Sequence, residues 1–494
     1  VAVLRDGAVL VRHAWGFANA ERRIAFTPKT LFRMCSITKQ FTCGVVLDAF
    51  PDPAVLDADI RARLLRLEGP APGALHLCHN QSGLRDYWAV AMLHGAGAED
   101  PFGDNEAARV IEGTRSLQFA PGTRFSYVNQ NFRILSDVVQ DRSGQGFAEL
   151  LRTRIFEPAG METAFLAADT RAMPDGAEGY EGSPETGFRP AVNRILWTGD
   201  AGLGASLDDM IAWERYIDAS RDDDASLYSR LAAPVQFADG SPAGYGFGLG
   251  RRMVGSRAIV GHGGALRGWR SHRLYVPSER VSVVVMMNHL SEAHEAAADL
   301  LRAVLDEPAP ASTADHPTPG WLGAYVEPET GLSVRIEAAS DGQARLRYGQ
   351  SEEMLDLQAD GSAGAGDTRL RPDAGGLWMD RRSDNQSSEL QPLSRETDEN
   401  IAGRYRCREL DAELTVVDAG GALYGGFSGF LGQGRMEQLT PVGGPVWTLP
   451  CPRALDHTPP GDWTLAFHRD ADRPAARVEV GCWLARRLTY ERVG

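Results

Sequence analysis

Two side chains three residues apart carry the first chemical signal. In Ser36-Ile37-Thr38-Lys39 a hydroxyl and an amine would share one face of a helix, with Cβ atoms about 5–6 Å apart. A neutral amine at that distance can take the hydroxyl proton. The serine then attacks a carbonyl carbon and becomes acylated. The basic residues of the chain sharpen the point, because among 51 lysines and arginines the lysines are Lys29 and Lys39 alone. A guanidinium keeps its charge in any protein environment, whereas a desolvated ammonium can give up its proton. A chain that writes arginine almost everywhere has kept an amine where a base is needed. The tetrapeptide is short enough to arise by chance, and the scarcity of lysine argues against chance here. Cys35 is a rival nucleophile on paper. One step along a helix points about 100° away, which places its thiol on the pocket wall.

Two further motifs bear on the same chemistry. In Phe119-Ala-Pro-Gly-Thr-Arg-Phe-Ser-Tyr127-Val-Asn129 a Pro-Gly turn leads into a short segment. If that segment is extended, Tyr127 and Asn129 project to one side. A buried phenol beside an ammonium can lose its proton more readily than a free one, so Tyr127 competes with Lys39 for the role of base, and the sequence leaves both open. Alone, Tyr-x-Asn more often marks a packed tyrosine and a turn asparagine. His262-Gly263-Gly264-Ala265 precedes a strand pair at 270–287. Glycines beside a strand admit a ligand backbone, and His262 can donate to a substrate oxygen. By itself this motif is more often a structural turn.

The elements that must position these residues can be read from periodicity. Residues 1–12 form a strand, a turn at Asp6-Gly7 and a second strand. Residues 36–50 suit a buried helix with Ser36 at its positive end. Helical patterns recur at 105–114, 131–141, 147–155, 206–219 and 292–305, and strands fill 245–288. Strands early, helices between and strands late predict an α+β unit whose sheet is built from both ends of residues 1–305. A Pro-rich linker follows at 306–320. The remainder reads as short strands without helical period. A faint repeat, Gly323-Ala-Tyr325 with Leu332-Ser-Val334 and Gly403-Arg-Tyr405 with Leu414-Thr-Val416, predicts two small antiparallel β-barrels, 321–397 and 398–494.

Composition narrows the function classes. At 53.6 kDa the chain implies several domains. A formal charge of −15 and the lack of a Lys/Arg cluster argue against a nucleic-acid partner. No apolar run approaches a membrane span. The six cysteines show no metal-like spacing, and no cofactor or metal is expected. The absence of a signal pattern favours the cytoplasm over the periplasm, although the first residues already read as a strand. Gly244–Gly250 has alternating glycines without a following Lys-Ser/Thr and reads as a glycine-rich strand. His294-Glu295 opens like a metalloprotease helix, but position 298 is alanine.

Taken together and in this order, the three motifs resemble those of the serine β-lactamase and penicillin-binding protein superfamily, in its class C, esterase and D-amino-acid peptidase branch. Further likeness lies in His76-Leu-Cys-His79-Asn-Gln-Ser82-Gly83-Leu84, in Phe147 to Met161 and in Gly202-Leu-Gly-Ala-Ser-Leu-Asp-Asp-Met. The two appended β-domains look like those of bacterial D-aminopeptidases. The resemblance implies a β-lactamase-like catalytic domain, an antiparallel sheet flanked by helices plus an all-helical region, ahead of the two barrels. It implies that Ser36 attacks, Lys39 and Tyr127 share the proton traffic, and the amides of Ser36 and Ala265, beside Gly264, form the oxyanion hole. It further implies that Asn129 holds the substrate amide and that His262 supports the leaving group or Tyr127.

One departure is informative. Relatives that grip a substrate carboxylate usually carry a hydroxyl residue in the middle of the third motif, where this chain has Gly263. That favours a peptidase acting at the amine end, which needs a carboxylate for the substrate ammonium. Asp456, in the Pro-bounded loop 451–461, is the candidate if that loop reaches the active site; an ordinary exposed turn is the alternative. The expected activity is release of N-terminal D-amino acids from small peptides and amides through an acyl-enzyme. An esterase, a D,D-carboxypeptidase or a penicillin-recognising protein without turnover are the rivals. β-Lactams are candidate inhibitors and a homodimer is the candidate assembly.

Overall fold

The computed structural model describes residues 1–307, 318–340, 342–373, 375–456, 459–469 and 474–493. A seven-stranded sheet organises the first 305 residues. Its strands lie in the order Tyr245–Gly246, Leu249–Val254, Arg257–Leu266, Trp269–Val276, Val281–Met287, Ala2–Arg5, Ala8–Arg12. The N-terminal hairpin enters antiparallel beside Val281–Met287, with Ala2 opposite Val284, so both ends of this region build the sheet. Val281-Ser-Val-Val-Val-Met-Met is apolar at most positions because both of its faces are covered. Val281, Val283 and Val285 pack with Ala297 and Leu301 of the helix Ala293–Leu305. Val284 faces the main core instead.

The helix Thr38–Ala49 runs through the centre of the helical body, and its residues from Thr38 to Leu47 are all buried. A helix enclosed on every side needs apolar or well-bonded residues all round, which explains its unbroken pattern. The helix Asn129–Ser143 packs against it and begins two residues earlier than periodicity suggests. The expected helix at 147–155 is Phe147–Leu151 followed by a π turn, Arg152–Phe156. Ser206 caps Leu207–Ser220: its hydroxyl accepts from the Asp209 N–H, and Asp209 accepts from the Ser206 N–H.

That helix is tied to the sheet by a fully buried pair. Arg273 Nε and Nη2 donate to Glu214 Oε1 and Oε2 at 2.7 and 2.8 Å, and both side chains are 0% exposed. Glu214→Gln leaves the guanidinium without its counter-charge and is expected to cost about 3–5 kcal/mol. Calorimetry should show a lowered melting temperature for the first unfolding transition; an unchanged one would contradict this.

Beyond the first unit stand two β-structures. The first is a closed eight-stranded barrel from Gly323–Glu327 to Gln386–Pro392, whose end strands pair through Tyr325 with Pro392 and Val326 with Gln391. The second is a ten-stranded sheet, Gly403–Cys407 to Ala485–Arg492, whose ladder among the described residues stays open, so the expected second barrel is a half-barrel. The faint sequence repeat has a structural counterpart. Tyr325 faces Val334 across the first hairpin and donates its hydroxyl to the Trp321 carbonyl; Tyr405 faces Leu414 and donates to the Ile401 carbonyl. The end-strand pairing recurs too, with Tyr405 opposite Arg492. Most of the expected linker, residues 308–317, lies outside the described residues.

Candidate active site

The nucleophile candidate stands where a strand gives way to the central helix. Phe32–Cys35 pairs with Leu203–Ala205 through a bulge between Arg33 and Cys35, and Cys35 takes the left-handed conformation at φ +52°. A non-glycine residue held there is strained. The strain turns the chain so that Ser36 is left partly accessible while Cys35 is fully buried. Ser36 lies just ahead of Thr38–Ala49, near its positive end.

Lys39 Nζ makes three contacts: Ser36 Oγ at 3.1 Å, Asn129 Oδ1 at 2.9 Å and the Asp200 carbonyl at 2.8 Å. A neutral amine has two N–H donors and one lone pair. Asn129 Oδ1 and the Asp200 carbonyl accept the two donors, and the lone pair is then directed at Ser36 Oγ. Burial lowers the Lys39 ammonium from its ordinary value to about 8, with the nearby Asp200 and Asp86 charges opposing the shift. The amine is therefore poised to act near neutral pH.

Tyr127 brings its ring 4.9 Å from Lys39 Nζ, and its hydroxyl bonds to Ser36. The expectation that the neighbouring ammonium eases its ionisation is corrected. Burial dominates and pushes the phenol far above its usual value, outweighing the Ser36 hydrogen bond. That shift favours the protonated phenol in the resting site.

Asn129 is the first residue of its helix and is 3% exposed. Its amide is held at both ends, Oδ1 by Lys39 and Nδ2 by Asp86 Oδ2 at 3.0 Å, while its own N–H donates to the same Asp86 oxygen at 2.6 Å. The structure thus gives Asn129 the work of orienting Lys39. Asp86 fixes which end of the amide faces the lysine, and burial lifts its carboxyl to about 6 against the pull of these hydrogen bonds. Asp86→Asn keeps the helix cap for Tyr87–Leu93 but sets one amide against another. It is expected to lower kcat/KM about ten- to hundredfold, the equivalent of about 1–3 kcal/mol of lost charge-assisted bonding. Steady-state kinetics within twofold of wild type would contradict this.

The third motif lies on Arg257–Leu266. The strand Leu249–Val254 pairs with it from Val254↔Arg257 to Gly250↔Gly261 and no further, leaving the edge at 262–266 open. A Cβ at Gly264 would come within 2.2 Å of the Met34 carbonyl and 3.2 Å of Cys35 Cβ, so glycine brings this edge against the chain that carries Ser36. Ala265 follows on the same open edge. His262 needs a correction. Its Nδ1–H donates to the Gly263 carbonyl at 2.5 Å, so its Nε2 accepts from the Tyr245 hydroxyl at 3.0 Å. Burial and the Lys39 charge lower it to about 3. A neutral imidazole with both nitrogens taken has no donor left for a substrate oxygen, and its ring centroid stands 6.1 Å from that of Tyr127. Behind Gly263, His272 Nδ1 lies 3.1 Å from where a Cβ would be, so the place of a hydroxyl side chain is already crowded.

Asp456 does reach the catalytic body, with different partners from those expected. It is 2% exposed, and its carboxylate accepts from the Thr170 hydroxyl at 2.5 Å and the N–H groups of Arg194 and Ile195 at 3.0 and 3.1 Å. Its carbonyl accepts from the Arg267 N–H at 2.8 Å. The carboxylate ties its loop to Thr170 and to the backbone at 194–195, the carbonyl ties it to the hairpin after Ala265, and the carboxylate is not held open for an ammonium. Residues 457 and 458 of that loop lie outside the described residues.

Tyr245, Asp86 and Asp200 escaped sequence reasoning. The glycine-rich stretch at 244–250 was the available signal. Gly248, at φ +73°, lets its turn pass where a Cβ would lie 2.4 Å from the Lys39 backbone, and Tyr245 projects beside His262 and Tyr127.

Comparison with known proteins places this geometry. Residues 1–306 match the β-lactamase family model, and residues 314–491 match that of D-aminopeptidase, domain B. The chain is 61% identical to a D-aminopeptidase of Gluconobacter oxydans, covering 100% of this chain and 95% of that protein. It is 46% identical to a D-aminopeptidase of Brucella canis over the same shares. Among solved structures, an octameric penicillin-binding protein homologue from Pyrococcus abyssi shares the fold with a TM-score of 0.53 at 20% identity, covering 86% of this chain and 93% of that one. A D-amino acid amidase from Ochrobactrum anthropi SV3 does so with a TM-score of 0.50 at 20% identity, covering 62% and 93%.

Proposed function

We infer the function from the premise that the chain belongs to the β-lactamase family and, over its whole length, to the D-aminopeptidases. It is a serine hydrolase that releases D-amino acids from the amine end of peptides and amino-acid amides. The observation that carries the mechanism is the position of Lys39 Nζ, 3.1 Å from Ser36 Oγ and held there by two acceptors, Asn129 Oδ1 and the Asp200 carbonyl.

The reaction follows from these groups. Lys39 takes the Ser36 proton as Oγ attacks the substrate carbonyl carbon. The N–H groups of Ser36 and Ala265 stabilise the oxyanion, a contribution of several kcal/mol in such sites. As the tetrahedral intermediate collapses, the C–N bond breaks and the leaving amine takes a proton, delivered by the Lys39 ammonium through the Tyr127 hydroxyl. Water activated by the same amine then attacks the Ser36 ester and frees the D-amino acid. With no hydroxyl at Gly263, and His272 crowding its place, that position offers no side-chain donor for a substrate carboxylate. That favours substrates presenting an ammonium over those presenting a C-terminal carboxylate. β-Lactams, whose ring carbonyl can acylate Ser36, are expected to inhibit.

Turnover of D- and L-alanine p-nitroanilide and their N-acetyl forms tests the reading. Only the free-amine D form should be hydrolysed efficiently. Equal rates with the N-acetyl form would point to an esterase or carboxypeptidase and overturn it.

A further inference from the structure

A cavity of about 1050 Å³ lies between the helix Asp104–Glu112 of the catalytic body and the strand Gly403–Cys407 of the half-barrel. Its volume is at the upper end of the range for small-molecule sites. Six arginines line it, Arg66, Arg85, Arg109, Arg115, Arg406 and Arg408, in a protein whose formal charge is −15. Three carboxylates share the lining. Two are spent: Glu409 accepts from Arg85 at 3.1 Å and from the Ser116 hydroxyl at 2.8 Å, and Asp411 pairs with Arg406. Against the remaining Glu112, four guanidiniums (Arg66, Arg109, Arg115 and Arg408) form no ion pair among the described residues.

The wall is also shaped to present charge. The Arg109 guanidinium lies 4.0 Å from the centroid of the Phe430 ring, and the His94 ring packs on that ring at 4.4 Å. A guanidinium laid on an aromatic face keeps its N–H edge for a planar anion. His94 is a buried imidazole of this lining. It is 5% exposed, it lines the cavity, and its Nδ1 has no hydrogen-bond partner. Gly429, also in the lining, packs its backbone against that ring: a Cβ there would come within 2.7 Å of the His94 Nδ1.

We propose that this interdomain cavity is a binding site for a compact polyanion, a molecule carrying two or more carboxylate or phosphate groups, gripped from both walls by Arg66, Arg109, Arg115 and Arg408. The site lies close behind the catalytic relay. Arg85 and Gln130 line it, the Arg85 carbonyl accepts from Gln130 Nε2 at 2.6 Å, and their chain neighbours Asp86 and Asn129 hold Lys39.

Isothermal titration of the full chain with citrate and with pyrophosphate, at ionic strength balanced by sodium chloride, tests the proposal. At least one probe should bind saturably at one site per chain, and the probe that binds tells carboxylate from phosphate. Arg109→Ala with Arg408→Ala should weaken that binding at least about tenfold, or by about 1.4 kcal/mol, with the melting temperature of the free protein as a folding control. Should that pair fail to fold, Arg66→Ala with Arg115→Ala replaces it. Two results would overturn the site: heats from both probes no larger than those of sodium chloride, or wild-type affinity retained in the folded variant.

Discussion

Ser36→Ala is expected to lower kcat for a D-aminoacyl amide by about 10⁴-fold or more, with no rescue from the adjacent thiol. Cys35 is 0% exposed, burial pushes its thiol up to about 12, and its S–H donates to the Arg33 carbonyl at 3.2 Å. The thiolate is the nucleophilic form of cysteine, and this one is neither ionised nor accessible. What survives in the variant should come from substrate binding and the oxyanion donors alone. Steady-state rates above about a hundredth of wild type would mean that another group attacks.

Lys39→Arg keeps the positive charge and removes the base, so acylation should fall by about 10²- to 10⁴-fold. The pH dependence carries the same signature. Because burial lowers Lys39 to about 8, the competent neutral amine grows in as pH rises, and wild-type kcat/KM should climb through that value. The climb should vanish in the arginine variant, whose side chain does not titrate. Substantial acylation by Lys39→Arg, with the limb intact, would transfer the role of base to Tyr127.

The site was legible where chemistry and local pattern coincide. Ser36 and Lys39 sit one helical turn apart, and the scarcity of lysine marked the pair. Tyr127 could be placed by its motif, and the structure brings its hydroxyl to Ser36. Its protonation could not be placed, because that depends on how tightly the surrounding body encloses the phenol. Asp86 illustrates the limit most clearly. In sequence it is an ordinary helix cap, and it does cap Tyr87–Leu93; its bond to Asn129, 43 residues away, exists only once two helices have packed. Asp200 contributes a main-chain carbonyl, which no side-chain motif can announce.

The fold shows the same division. Period-two and period-3.6 patterns located the sheet at both ends of residues 1–305 and the helices between them, since each pattern follows from which face is buried. Strand order in the β-units depends on pairing across many residues. The repeated Gly-x-Tyr hairpin starts were visible, whereas closure of the first unit and opening of the second were not. Asp456 lay in a loop that does reach the catalytic body. Nothing local told whether its carboxylate would meet a substrate or the backbone N–H groups of Arg194 and Ile195.

Hydrolysis through Ser36 requires a D-aminoacyl ester on its Oγ. Acid quenching of the wild-type enzyme during turnover of D-alanine amide, followed by peptide mass spectrometry, tests it most directly. An alanyl ester is expected on the peptide bearing Ser36, and should be absent from Ser36→Ala and from reactions with L-alanine amide or N-acetyl-D-alanine amide. An ester on another residue, or one formed equally from the N-acetylated amide, would contradict it.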